Sequence, residues 1–122
     1  MHGIFRMKIA ITIWDERVSP VFDAAHSLLI ANINHKTVKK ITYESFSPQF
    51  EARLIERLNH LQIEVLICGA ISQAHSTLIE ANGIVLIPFI SGRVNKILES
   101  FARGDSISPA FLMPGCRDSP LV

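Results

Sequence analysis

Cysteine is scarce: the 122-residue chain holds two, Cys68 and Cys116, with no C-x-x-C pair. Two are too few for a disulfide framework or for a self-contained four-cysteine zinc or iron–sulfur site. Long apolar runs are missing too. The longest candidates, around Val65–Ile71 and Ile84–Ile90, are strand-sized and fall short of the roughly 18 residues that suggest a membrane span. Neither sign of charge dominates, with Lys+Arg 12 against Asp+Glu 11, a net charge of +1 and no long basic block. That balance argues against nucleic acid as a partner, because phosphate binding needs clustered positive charge. The amino-terminus carries no basic start, long apolar stretch and small-residue cleavage site, so the expected location is cytoplasmic and no membrane partner is expected. No internal repeat, linker or low-complexity stretch is visible.

What is present is a folding sequence. A hydrophobic fraction of 48% against 19% charged residues excludes a disordered tail, and the length fits one domain. Met1–Arg6 precede the regular apolar pattern and read as an extension; the domain proper runs over 7–104, and 105–122, rich in proline, reads as an irregular tail with Phe111-Leu112-Met113 able to dock.

Lys8–Trp14 is a β-branched run suited to a strand buried on both faces. Ser27–Ile33 and Val38–Tyr43, joined by Asn34-His35-Lys36, read as an antiparallel hairpin. Ser47-Pro48 opens a helix whose Phe50, Leu54, Leu58 and Leu61 share one face. Glu64–Cys68 is a second buried strand. Ser72 caps a helix through Ala81, closed by Asn82-Gly83. Ile84–Ile87 is a third buried strand, and Ser91 is expected to cap a last helix ending at Gly104. The order β-β-β-α-β-α-β-α implies an α/β fold: a ribonuclease-H-like, three-layer arrangement around a mixed five-stranded sheet with helices on both faces. The first strand should lie parallel to the last two. Ligands in such sheets collect beyond the carboxyl ends of the parallel strands, where Asp15–His26, Gly69–Gln73 and Pro88–Gly92 should form a crevice.

A metal-dependent nuclease needs carboxylates converging on divalent cations. Asp15 ends the first strand, but Cys68-Gly69-Ala70 stands where a second acid is wanted, so a nuclease is not expected. No Ser–His–Asp or Cys–His set has suitable spacing, and the chain is read as a non-enzyme. The starts at Ser72 and Ser91-Gly92 would present helix N–H groups to an anion, although each is also explained by ordinary capping. His26 and His75 fall near the crevice; His2, His35 and His60 are explained by solvent or by a helix end. Cys68 reads as a small core residue. Cys116, beside Arg117 in the tail, is a soft ligand candidate that cannot hold a cluster alone.

Several segments resemble one family. Met7-Lys8-Ile9-Ala10-Ile11 and Arg17-Val18-Ser19-Pro20-Val21-Phe22-Asp23-Ala24-Ala25 are similar to the opening of the nitrogenase iron–molybdenum cofactor biosynthesis family. This is the NifX-like fold, also found as the C-terminal domain of NifB. Leu66-Ile67-Cys68-Gly69-Ala70-Ile71-Ser72, Ala81-Asn82-Gly83-Ile84 and Ser91-Gly92-Arg93-Val94 continue the likeness. Phe111-Leu112-Met113-Pro114-Gly115-Cys116 resembles a branch of molybdenum–iron cluster-binding proteins. The resemblance implies a ribonuclease-H-like fold without nuclease activity and non-catalytic carriage of an iron–molybdenum or other metal–sulfur cluster or precursor. Such a cargo could be lost on aerobic purification. Many relatives carry histidine before the loop phenylalanine and glycine after it; here Val21 and Asp23 occupy those positions, so that histidine's ligand role does not transfer.

The combined expectation is a crevice formed by Ser19, Phe22, His26, Gly69, Ser72, His75, Ser91 and Gly92, with Cys116 as an optional metal ligand. The expected partner is a cluster donor or acceptor protein, in cofactor assembly or metal homeostasis, with the chain a monomer or weak homodimer. The alternative is a regulatory or interaction module binding an ordinary anion or a partner peptide in the same crevice.

Overall fold

A computed structural model describes residues 6–48, 51–108 and 110–115. Six strands and three helices follow in the order β1 (Arg6–Trp14), β2 (Arg17–Val18), β3 (Ser27–Asn34), β4 (Thr37–Ser45), α1 (Glu51–His60), β5 (Val65–Ile67), α2 (Gln73–Ala81), β6 (Val85–Ile87) and α3 (Val94–Arg103). The sheet order is β4-β3-β1-β5-β6, with β2 paired to β1 off this path.

β1 pairs in parallel with β5, Ile11 opposite Ile67, and β5 in parallel with β6, Ile67 opposite Ile87. The β3–β4 hairpin extends the other side of β1 in antiparallel register. The expected mixed α/β sheet is present with one strand more than predicted. β2 is only two residues long and pairs Val18 with Ile13 after a tight turn in which Asp15 has φ 58°. A strand that short carries no periodicity; its pairing comes from the turn rather than from pattern.

Alternation along the strands divides the core in two. Ile9, Ile11, Leu29 and Ile67 face one layer and pack with Val94, Ile97 and Leu98 of α3. Ala10, Leu28, Leu66 and Cys68 face the other, with Leu54 and Leu58 of α1 and Ile79 of α2. Helices therefore cover both faces. The α1 start expected at Ser47-Pro48, and Phe50 with it, abuts or lies in 49–50, outside the described residues.

Three helix boundaries follow the sequence signals. Ser72 caps α2, its Oγ accepting from the His75 N–H; α2 ends at Ala81 before Asn82 and Gly83, the glycine at φ 83°; and Gly104 ends α3 in the left-handed region at φ 91°. The signal at Ser91 fails. α3 starts at Val94, its N-cap is Arg93, and no side chain caps it. Ser91 is instead taken up by the tail: its N–H donates to the Phe111 carbonyl at 2.8 Å, and the Met113 N–H donates to Phe89 at 2.8 Å. Phe111 and Leu112 pack against the α3-side core, so part of the expected irregular tail docks.

Candidate functional site

The three loops beyond the parallel strands do meet, but they bond to one another. The Phe22 N–H donates to the Ala70 carbonyl at 2.7 Å, and the Ala70 N–H donates back to Pro20 at 2.9 Å. Val18 donates to Gly92 at 3.1 Å, Phe89 to Gly69 at 2.9 Å, and Val94 to Glu16 at 2.9 Å. The last of these bonds occupies the first N–H of α3. The three loops expected to wall a crevice are thus joined to one another by paired main chain.

Several expected site residues consequently have structural partners. Phe22 is fully buried and stacks edge-on against Phe46 and His75, with centroids 5.5 and 5.6 Å away. A Cβ on Gly69 would lie 2.4 Å from the Ser19 carbonyl oxygen and 2.5 Å from that of Pro20, so its bare Cα is what admits the loop. Gly92, at φ 135°, is covered by Phe111, whose Cδ1 would sit 3.3 Å from an added Cβ. His75 is buried in the first turn of α2, with Nδ1 2.7 Å from Asp23 Oδ1 and 3.0 Å from Ser72 Oγ. Both partners share that one ring nitrogen, while Nε2 is buried with no hydrogen-bond partner. A nucleophile–base–acid relay needs its hydroxyl and its carboxylate on opposite nitrogens, so this trio fastens the 15–26 loop to α2 instead.

An open groove lies on the other side of that loop, between the end of β1 and the start of β3. Its volume is about 500 Å³, and Trp14, Asp15, Ser19, Val21, His26 and Ser27 are among its lining residues. Ser19 and His26 are the two expected site residues that share it. Ser19 is 7% exposed and its Oγ approaches the Val21 carbonyl at 3.4 Å. Trp14 is 67% exposed at the end of a strand whose middle, Ile9–Thr12, is buried; periodicity does not single it out, and a lone tryptophan one residue before the turn is the available signal. Val21, 45% exposed, adds an apolar wall.

Beside the Asp15 carboxylate, the polar groups here are hydroxyls, an imidazole and an indole N–H, and among the described residues no sulfur lines the groove. Cys68 is fully buried, and desolvation, aided by the negative charge of Asp23, pushes its thiol up to about 12 from 9.0. Among the described residues no group of His, Cys, Asp and Glu is arranged to hold a metal ion. Cys116 lies outside the described residues. No helix of the described residues is long and apolar enough to cross a membrane.

The sequence model of the dinitrogenase iron-molybdenum cofactor family matches residues 6–104. The chain belongs to this family. Membership ties it to the biosynthesis or binding of the iron-molybdenum cofactor. Solved structures share the fold. The crystal structure of PH0822 superposes with a TM-score of 0.73 at 18% identity, covering 81% of this chain and 91% of that one. A Methanocaldococcus jannaschii protein described as a candidate dinitrogenase gives 0.66 at 20% identity, covering 82% and 91%. Its solution structure gives 0.66 at 21%, covering 85% and 95%. No curated protein matches the chain significantly. The family match stops where α3 ends, so the docked segment around Phe111 lies beyond it.

Proposed function

We propose that this chain is a non-catalytic carrier for an iron-molybdenum or related metal–sulfur cluster or its precursor, working between a donor and an acceptor protein in cofactor assembly or metal homeostasis. The observation that carries the reading is the groove beside the 15–26 loop, in a chain of this family. Val21 stands where many relatives carry histidine, and it lines that groove. With valine there, the cargo would rest on Trp14 and Val21 and accept hydrogen bonds from His26 and the indole N–H, with Ser19, its hydroxyl turned to the Val21 carbonyl, as part of the wall. Anionic cluster sulfurs suit such donors. Cys116 would supply a soft ligand from the tail.

The cluster is cargo in this reading, so retention need be neither permanent nor fully ligated by the protein. Anaerobic titration with tetrathiomolybdate or a synthetic iron–sulfur cluster, followed by visible absorbance and Trp14 emission, tests it. Saturable quenching is expected, weakened on the order of tenfold by His26→Ala, the scale of losing one hydrogen bond to a charged group. Failure of the native protein to take up either probe would overturn the carrier reading. Quenching by inorganic phosphate in their place would favour the anion-binding module.

A further inference from the structure

The free edge of β4 carries a second inference, independent of the cargo. Among the described residues β4 pairs only with β3, which leaves a nine-residue strand open along one side. The Phe46 N–H donates to His26, in line with the register that sets Ser45 opposite Ser27. Backbone groups alternate along a strand, so Thr42 and Glu44 turn theirs towards β3 while Ile41, Tyr43 and Ser45 turn theirs outward. Ile41 and Tyr43 are also exposed as side chains, 43% and 65%, beside a trough lined by Val94 and Leu98 of α3.

We propose that this edge pairs antiparallel with the same edge of a second copy, about a two-fold axis through Thr42. That register sets Ile41 opposite Tyr43 of the second copy, and the reverse, each pair exchanging both outward backbone hydrogen bonds. It also sets Lys40 opposite Glu44 of the second copy, twice, on the other face. Shifting the axis to Ile41 or Tyr43 loses both charge pairs. Lys40 has no ion pair among the described residues, and Arg57 engages Glu44 through Oε1. Lysines commonly guard an edge against pairing; in this register Lys40 meets its counter-charge instead. The irregularity between Asn32 and Ile33 leaves Lys39 outside the ladder and ends the regular edge there. An isologous contact of this kind closes on itself as a dimer.

Sedimentation equilibrium of the full chain, up to about 1 mM, should show a monomer–dimer equilibrium in the weak range. Lys40→Glu and Glu44→Lys should each weaken self-association on the order of tenfold, because each turns two attractive pairs into two repulsive ones. An equimolar mixture of the two variants should regain native-like association as a heterodimer, since both pairs are then attractive again, one in its native sense and one with its charges exchanged. Amide exchange of the native chain at low and high concentration gives a readout that needs no variant: Ile41 and Tyr43 gain protection, whereas Thr42 and Glu44 do not change. A native chain that stays monomeric, a mixture that associates no better than its components, or protection gained elsewhere would each overturn the proposal.

Discussion

Gly69→Ala adds one methyl group where the 15–26 loop crosses the end of β5. The new Cβ would sit 2.4 Å from the Ser19 carbonyl oxygen, 2.5 Å from the Pro20 oxygen and 2.8 Å from the Pro20 carbonyl carbon, against ordinary contact at 3.4 Å. All three are main-chain atoms, so no side chain can rotate away. The loop must retreat by about 1 Å to reach ordinary contact. That retreat stretches the reciprocal bonds between Pro20, Ala70 and Phe22, now 2.9 and 2.7 Å, beyond useful length. Overpacking costs roughly 1–3 kcal/mol and each lost hydrogen bond about 1 kcal/mol, partly overlapping. The expected loss is about 2–4 kcal/mol, or a Tm lower by roughly 10 °C for a domain of this size. Urea and thermal unfolding followed by far-ultraviolet circular dichroism measure it. The sole tryptophan, Trp14, faces the same loop across the groove, so its emission should shift in the folded variant. A melting curve within about 1 °C of the native one would refute the loop-packing account.

Cys68→Ala should cost about 1 kcal/mol and leave probe binding unchanged, with the native thiol labelled only as the protein unfolds. The raised thiol also fixes a pH dependence: above 9.0 the unfolded chain sheds this proton while the folded one keeps it to about 12, so alkaline pH lowers stability across that window, by at most about 1.4 kcal/mol per pH unit from this group. Urea midpoints between pH 8.5 and 11, native against Cys68→Ala, isolate the contribution. Asp23→Asn should loosen the tie between the loop and α2 by about 1 kcal/mol, read as faster amide exchange near Phe22. Gly92→Ala should lower stability by about 1–3 kcal/mol, because a side chain at φ 135° is strained, while Cys116→Ser leaves the fold intact and weakens probe uptake in the anaerobic titration.

The sheet was legible because the middles of β1 and β5 are continuous apolar runs with no polar face to confuse their assignment. Ile9–Ile11 and Val65–Ile67 have few stable fates other than neighbouring buried strands. Ser72 was legible for a local reason, since a cap needs only its own helix. Ser91 carries the same local signal, but Phe111, twenty residues away along the chain, takes its N–H and α3 starts later. The site was less legible for that reason too. Helix starts can be found from local residues, whereas which side of a loop stays open depends on long-range bonds such as Ala70 to Pro20. Ser19 and His26 are marked in the sequence by flanking the loop, whereas Trp14 is not, because one apolar residue at a strand end carries no period.

The bonds that tie the three loops together use main-chain atoms almost throughout. A rim held in this way is largely indifferent to the identity of its outward side chains. Val21, Ala24 and His26 can be exchanged with little effect on the frame, provided Gly69 stays bare and Phe22 keeps its place. On the proposed carrier reading, relatives with a different cargo would then differ at these few rim positions while keeping the same knit of loops beneath them. Selection could retune what the groove accepts without having to rebuild the fold that presents it.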